Sequence, residues 1–353
     1  MPIRTQILTM LTGVLCYGAA LPLFAQDPGP APFEIVSMTR SLAGTALAWS
    51  DAGATANYTV QVRQTLPHGI WIAPRAEMPW PIGGRQWFDA LSPEKPALFY
   101  RVVSVPRAER GRLISHSEIR SLAAWYINLM LAALDVPLTV QYDVRVYKVV
   151  YETVDPMGGR TVASGALALP QQPGRLLPLC SYQHGTIAKR GEAPSAADSN
   201  EQLLGVVMAA SGYATALPDY LGLGDSLLQH PYHHAASEAT ASVDMLRAAR
   251  AFCVSQGAAL NGQVFLVGYS HGGHATMALH REIEEYHSEE FTITASAPMA
   301  GAYDLSGVTA EDVLAGRPMP NPYYFAMLLS SYQAVYRLAD SLSELLAPPY
   351  DAT

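Results

Sequence analysis

Charge is scarce in this sequence. Only 15% of its 353 residues are charged, and Asp plus Glu outnumber Lys plus Arg by 30 to 22. The resulting net charge of −8 argues against a general polyanion binder, so no nucleic-acid partner is expected. Cysteine is scarcer still, with three residues, which excludes a disulfide-built scaffold. Past the N-terminal stretch, no apolar run reaches the length that crosses a bilayer. Histidine is missing from one end, since none follows His287. Half of the residues are hydrophobic, however, and the length suits one large domain plus a small one.

The N-terminus has the pattern of a secretory signal over residues 1–25. Arg4 gives a positive start, residues 7–20 form an apolar core, and Leu23-Phe24-Ala25 ends in a small residue suited to cleavage. Leu23 is bulkier than the usual residue at its position. An uncleaved anchor is the rival reading, but the run is short for a span. Residues 26–32, with alternating prolines, read as a linker. Export would permit a bridge between Cys180 and Cys253. Their settings, an apolar strand and a helix, suit buried free thiols better.

Residues 33–105 read as short strands separated by turns. Tyr58, Val60 and Val62 alternate as in a half-buried strand, and strands at this spacing suggest a small β-sandwich. Trp71, Trp80 and Trp87 could bind a carbohydrate or polymer, but packing of a small core or of the domain junction accounts for them better. Residues 106–353 form the second domain. Within it, apolar residues at helical spacing predict a helix over 117–134, capped by Ser115 or Ser117 and stopped by Pro137. Next come a hairpin over 142–169 and strands at 177–182 and 213–217. Helices follow at 203–210 and 234–255, with a last strand at 291–297. Alternating strand and helix imply a mainly parallel, doubly wound sheet with helices on both faces. Sites in such sheets form beyond the carboxyl ends of strands. His184-Gly185, Asp219 and Ser270 fall at such ends.

The centre of the pattern is residues 264–276. A β-branched run stops at Gly268, then Tyr269-Ser270-His271-Gly272-Gly273 leads into a helical pattern. This is G-x-S-x-G between strand and helix. The strained turn pushes the serine clear of the sheet, and small residues on either side let strand and helix approach. The amide after the serine then points to where an oxyanion would form, helped by the helix N-terminus.

With Q-H-G-T at 183–186, P-D-Y-L-G-L-G at 218–224, H-P-Y at 230–232 and A-P-M-A-G-A-Y-D-L at 297–305, this part resembles the α/β-hydrolase superfamily, and within it the secreted lipase/esterase family. The first module resembles a fibronectin type III-like domain through Trp49, Y-T-V-Q-V at 58–62 and F-Y-R-V-V at 99–103. The hydrolase resemblance implies cleavage of small-molecule or lipid carboxylic esters through an acyl-enzyme, with Ser270 as nucleophile. It implies oxyanion donors from His271 N–H and from the loop near Gly185 or Thr186. No cofactor is implied. His230, His233 and His234 cluster without an orienting carboxylate at ligand spacing, so no metal is expected. His184 reads as structural.

The resemblance also implies the order serine, acid, histidine. After Ser270 come His271, His274, His280 and His287, all in or beside the serine's own helix. At about 1.5 Å per residue, His287 would lie roughly 25 Å along it. The acidic candidates Asp304, Asp312, Asp340 and Asp351 are no better placed. Acid and base are therefore not found, and the expectation is a C-terminally truncated sequence. Residues 304–347, helical and rich in tyrosine, read as a lid that could touch a lipid interface. Alternatives are a serine peptidase on this fold and a noncatalytic surface binder using the sandwich tryptophans. Oligomeric state is left open.

Overall fold

The computed structural model describes residues 32–65, 71, 81–90, 92, 98–171, 175–318 and 321–351. The expected signal and nearly all of the linker lie outside these residues, as does Trp80.

The N-terminal module holds two small antiparallel sheets. Strands β1 (Ile35–Ser41) and β2 (Gly44–Trp49) pair with β4 (Gln86–Asp89), while β3 (Ala56–Arg63) pairs with β5 (Phe99–Pro106). Leu47, Trp49, Tyr58, Val60, Ile82 and Trp87 bury a shared core between them. The Trp49 and Tyr58 rings lie 5.4 Å apart and those of Trp87 and Tyr100 6.2 Å. The alternation in β3 therefore points inward as expected. Thr59 and Gln61, on its other face, are buried too, because they meet Met157 of the second domain. Thr59 Oγ1 donates to the Met157 carbonyl at 2.5 Å. Trp87 is core. Trp71 is flanked by the guanidinium groups of Arg63 and Arg101, 4.4 and 4.6 Å from its ring.

The second domain is built on a seven-stranded sheet. Its strands are β6 (Leu113–Leu122), β7 (Val144–Val154), β8 (Arg160–Pro170), β9 (Leu177–Gln183), β10 (Ala214–Pro218), β11 (Leu260–Tyr269) and β12 (Thr292–Met299). They lie in the order β12-β11-β9-β10-β8-β7-β6. Pairs from β12 to β10 are parallel, and those from β10 through β8 and β7 to β6 are antiparallel. Helices α1 (Ala124–Ala133) and α2 (Gln202–Ala210) cover one face through Ile127, Leu131, Val206 and Ala209. Helices α3 (Ala235–Ser255) and α4 (His271–Tyr286) cover the other through Met245, Phe252, Leu279 and Ile283. Burying each such Leu or Ile contributes roughly 1.5–3 kcal/mol. Strand β7 is buried almost throughout, Arg145 and Lys148 excepted, because both of its faces are covered.

One expected element is different. The helix predicted over 117–134 is strand β6 to Leu122, and only α1 beyond it is helical. Ile119 and Leu122 fit a helical spacing, but β7 offers a free edge, and pairing such as Ser117 with Lys148 and Leu122 with Val144 wins. Neither Ser115 nor Ser117 caps α1. The Asp143 carboxylate does, accepting the Ala124 N–H at 2.8 Å.

Cys180 and Cys253 are both buried free thiols, and burial pushes each up to about 12. Residues 304–347 contain a π-helical turn (Leu305–Thr309), α5 (Ala310–Leu314), α6 (Tyr323–Tyr336) and a 3₁₀ turn (Leu342–Glu344). Helix α6 is tied to the loop before α3. Ser331 Oγ donates to the Tyr232 carbonyl at 3.0 Å and Tyr332 Oη to the His233 carbonyl at 3.2 Å.

Candidate active site

Strand β11 delivers Ser270 into a turn with φ 59° and ψ −122°, a conformation rare for a residue with a side chain and costing roughly 1–3 kcal/mol. The surroundings hold it there. Ser270 N–H donates to the Met299 carbonyl at the end of β12, at 2.9 Å, and the Ser270 carbonyl accepts from Gly273 N–H at 2.9 Å. The glycines on either side are required by contact. A Cβ on Gly268 would sit 2.3 Å from the Gly272 carbonyl oxygen, and one on Gly272 would sit 2.0 Å from that of Gln183. Ser270 is exposed, and among the described residues its hydroxyl has no hydrogen-bond partner.

The close approach of Gly272 to Gln183 brings the loop after β9 beside the serine turn. Gly185 and Thr186 are half-buried there, and Thr186 Oγ1 lies 2.8 Å from Tyr232 Oη. The Tyr232 ring is 4.6 Å from that of His271. His184 is buried, with Nδ1 2.7 Å from the Gly185 carbonyl and Nε2 3.1 Å from that of Asp219. Burial pushes it down to about 3, so the ring is neutral and donates to only one of these two carbonyls. Asp219 is also buried. Its carboxylate accepts from Ser164 Oγ at 2.5 Å and Ser195 N–H at 2.8 Å, which braces the loop after β10.

The four histidines after Ser270 each face a glutamate. His271 Nε2 lies 2.6 Å from Glu238 Oε1 and His274 Nδ1 2.8 Å from Glu238 Oε2. His280 Nε2 is 3.1 Å from Glu284 and His287 Nε2 3.4 Å from Glu282. Glu238, on the first turn of α3, is the residue that sequence reasoning missed. Burial alone would raise its carboxyl. The charges of His271 and His274, and their hydrogen bonds, outweigh burial and hold it well below the usual range. For His274, burial works downward, but the Glu238 charge and hydrogen bond win and raise it. Around this trio, burial pushes His230 down to about 4 and His233 to about 3. A signal for Glu238 existed in the sequence: A-A-S-E-A-T-A-S is a helix of small residues with no solvent face to place a carboxylate on.

A cavity of about 310 Å³ lies between this cluster and α6, lined by Gln229, His230, Tyr232, Tyr323, Met327 and Ser330 among others. A larger groove, about 750 Å³, runs along Arg107, Arg110, Arg112 and Arg160, and neither lining includes a residue of the serine turn. Among the described residues no cluster of three or more His, Cys, Asp or Glu could hold a metal ion. Nor does any described helix have the length and apolar character to cross a membrane.

Comparison with known proteins agrees with this geometry. A family model described as secretory lipase matches residues 193–316. A protein from Legionella pneumophila, provisionally described as a hydrolase, is 31% identical, with a TM-score of 0.61 over 68% of this chain and 65% of its own. The rice cell wall degrading esterase LipA from Xanthomonas oryzae is also 31% identical, with a TM-score of 0.59 over 69% of this chain and 65% of its own. The chain thus spans about 65% of the length of these solved structures. No curated protein matches the sequence. The sheet with helices on both faces, and the serine at the β11–α4 junction, make the second domain an α/β-hydrolase fold like that of these structures.

Proposed function

We propose that this chain belongs to a secreted serine hydrolase that cleaves carboxylic esters of the lipase/esterase kind. The observation that carries the reading is Ser270 itself, exposed, strained and held at the strand–helix junction beside the loop after β9. Ser270 Oγ attacks the ester carbonyl and forms an acyl-enzyme with loss of the alcohol. Water then releases the acid. The N–H of His271 stabilises the oxyanion, with Gly185 or Thr186 supplying the second donor. The acid and the histidine that would take the serine proton are not assigned. Among the described residues, none of the four histidines nearest in sequence makes a hydrogen bond to the Ser270 hydroxyl.

The cavity under α6, where Tyr232, Tyr323, Met327 and Tyr350 stand beside Gln229, His230 and Ser330, is read as the acyl-chain site, with α6 as its lid. The match to a secretory lipase model and the signal-like N-terminus support export. The two-sheet module is read as fibronectin type III-like. Hydrolysis of p-nitrophenyl esters of short and long acyl chains tests the reading. Turnover or acylation that disappears in Ser270→Ala supports it, and the chain-length profile separates lipase from esterase. Ester cleavage that persists in Ser270→Ala contradicts it.

A further inference from the structure

The first turn of α4 has an unusual need. Its N-cap is Ser270, whose side chain makes no capping hydrogen bond, and no acidic residue lies in the turn. A helix start usually fixes itself through an N-cap side chain or an acidic group. Here the hydroxyl at that position must stay free to react, and the backbone beneath it is strained. Something outside the turn has to over-determine it.

Glu238 is placed to do so. It reaches from α3, where it is 1% exposed, and its two carboxylate oxygens take one partner each. One accepts from His271 Nε2 at 2.6 Å and the other from His274 Nδ1 at 2.8 Å. Residues three apart share a helix face, so the carboxylate grips the first turn of α4 at both of its ends. A carboxylate only accepts, which fixes the ring protons toward it and leaves His271 Nδ1 buried without a partner among the described residues. The remaining sides of the His271 ring are closed by Tyr220, His230, Tyr232 and His233, with ring centroids 4.6–5.7 Å away. None of these contacts involves the serine hydroxyl.

We propose that Glu238 is the positioning residue of the site: by holding the His271 and His274 side chains it fixes the peptide between Ser270 and His271, and so aims the His271 N–H at the oxyanion. It touches neither the ester nor the serine. Its effect is on the transition state, where a donor displaced by an ångström loses most of its value, and not on substrate affinity. The inference rests on Ser270 being the nucleophile.

The test uses a fluorophosphonate, which forms a bond from Ser270 Oγ to phosphorus with loss of fluoride and passes through a charged oxygen like that of the ester reaction. Adduct formation is followed by intact mass, and the adduct is mapped by peptide sequencing. Wild type, Ser270→Ala, Glu238→Ala and Glu238→Gln are compared for the maximal labelling rate and for the half-saturating probe concentration. We expect Glu238→Ala to lower the maximal rate about tenfold or more with the half-saturating concentration unchanged. Glu238→Gln keeps the shape and, with one ring in its other tautomer, a hydrogen bond to each ring, and it recovers much of the rate. Melting of both variants is followed in parallel. If Glu238→Ala fails to fold, Glu238→Gln decides. A glutamine variant whose His271 amide resonance moves while its labelling rate stays at the wild-type value then overturns the proposal. A folded Glu238→Ala variant labelled at the wild-type rate overturns it as well. If wild type takes no label at Ser270, the nucleophile reading itself falls and this inference with it.

Discussion

Helix α3 carries two buried carboxylates with opposite company. Glu238 is bonded to two histidines of α4. Asp244 is bonded to two arginines and a threonine: Arg110 Nε at 2.5 Å, Arg247 Nη1 at 2.8 Å and Thr153 Oγ1 at 2.7 Å. Both carboxylates are fully satisfied, so neither is an unpaired charge in the core. The partners differ in kind. Arginine stays charged throughout the physiological range, whereas histidine titrates within it. The Asp244 cluster also joins sequence-distant parts. Arg110 comes from the segment between the two domains, and Arg247 continues to Glu290 at 2.6 Å. One carboxylate fastens the architecture with groups that do not titrate. The other holds the first turn of the reactive helix through histidine rings.

The largest expected effect follows from the fixed cluster. Asp244→Ala cuts the bonds to Arg110, Arg247 and Thr153 and leaves Arg247 with Glu290 as its acidic partner; breaking such a buried network costs about 3–5 kcal/mol. Urea denaturation measures it. A loss below about 1 kcal/mol would mean that the arginines find water or another acid, and the contrast between the clusters would weaken.

Glu238→Gln sharpens the contrast through pH. His274 is raised above 6.5 in the folded protein, so its contribution is complete below about 6.5 and is lost as pH rises through the folded value. Glu238 is lowered from 4.5, so its contribution is present above about 4.5 and is lost as pH falls through the folded value. The pair therefore stabilises most between these limits. The stability difference between wild type and Glu238→Gln should peak near pH 5–6, at about 1–2 kcal/mol, and shrink above neutrality. Between pH 5 and 9 the arginine partners keep their charge, so the matching difference for Asp244→Asn should stay level. Thermal melting across pH tests both, and parallel curves for the two variants would contradict the distinction.

A third carboxylate sets the lower end of the scale. Asp143 is exposed and caps α1 from the start of β7. Asp143→Ala should cost only about 1 kcal/mol, without the pH signature of Glu238. Hydrogen exchange should show fraying confined to the first turn of α1. Fraying that spreads into the sheet would mean that this cap does more than a surface cap can.

The same contrast explains what could be read in the sequence. Strands β7 to β12 and helices α2 to α4 fall within a few residues of their expected places, because their burial repeats locally at the period of the element. The serine turn was legible because G-Y-S-H-G needs only its immediate neighbours. Strand β6 was misread because its pairing with β7 lies some thirty residues away in the chain, where no local pattern records it. The Asp143 cap and the Glu238 clamp were missed for the same reason. Glu238 lies 33 and 36 positions from its partners, and a lone glutamate among alanines and serines does not say which helix it will meet.

The most direct measurement is phosphonylation of the native protein, with the urea-unfolded protein and Ser270→Ala as controls. Oxyanion stabilisation and binding alone leave a serine roughly 10³–10⁴ faster than the uncatalysed reaction even when a triad member is missing. The expected result is one adduct per native chain, mapped to Ser270, and none in either control. Equal labelling of native and unfolded chains, or an adduct on another residue, would show that the β11–α4 turn does not activate its serine.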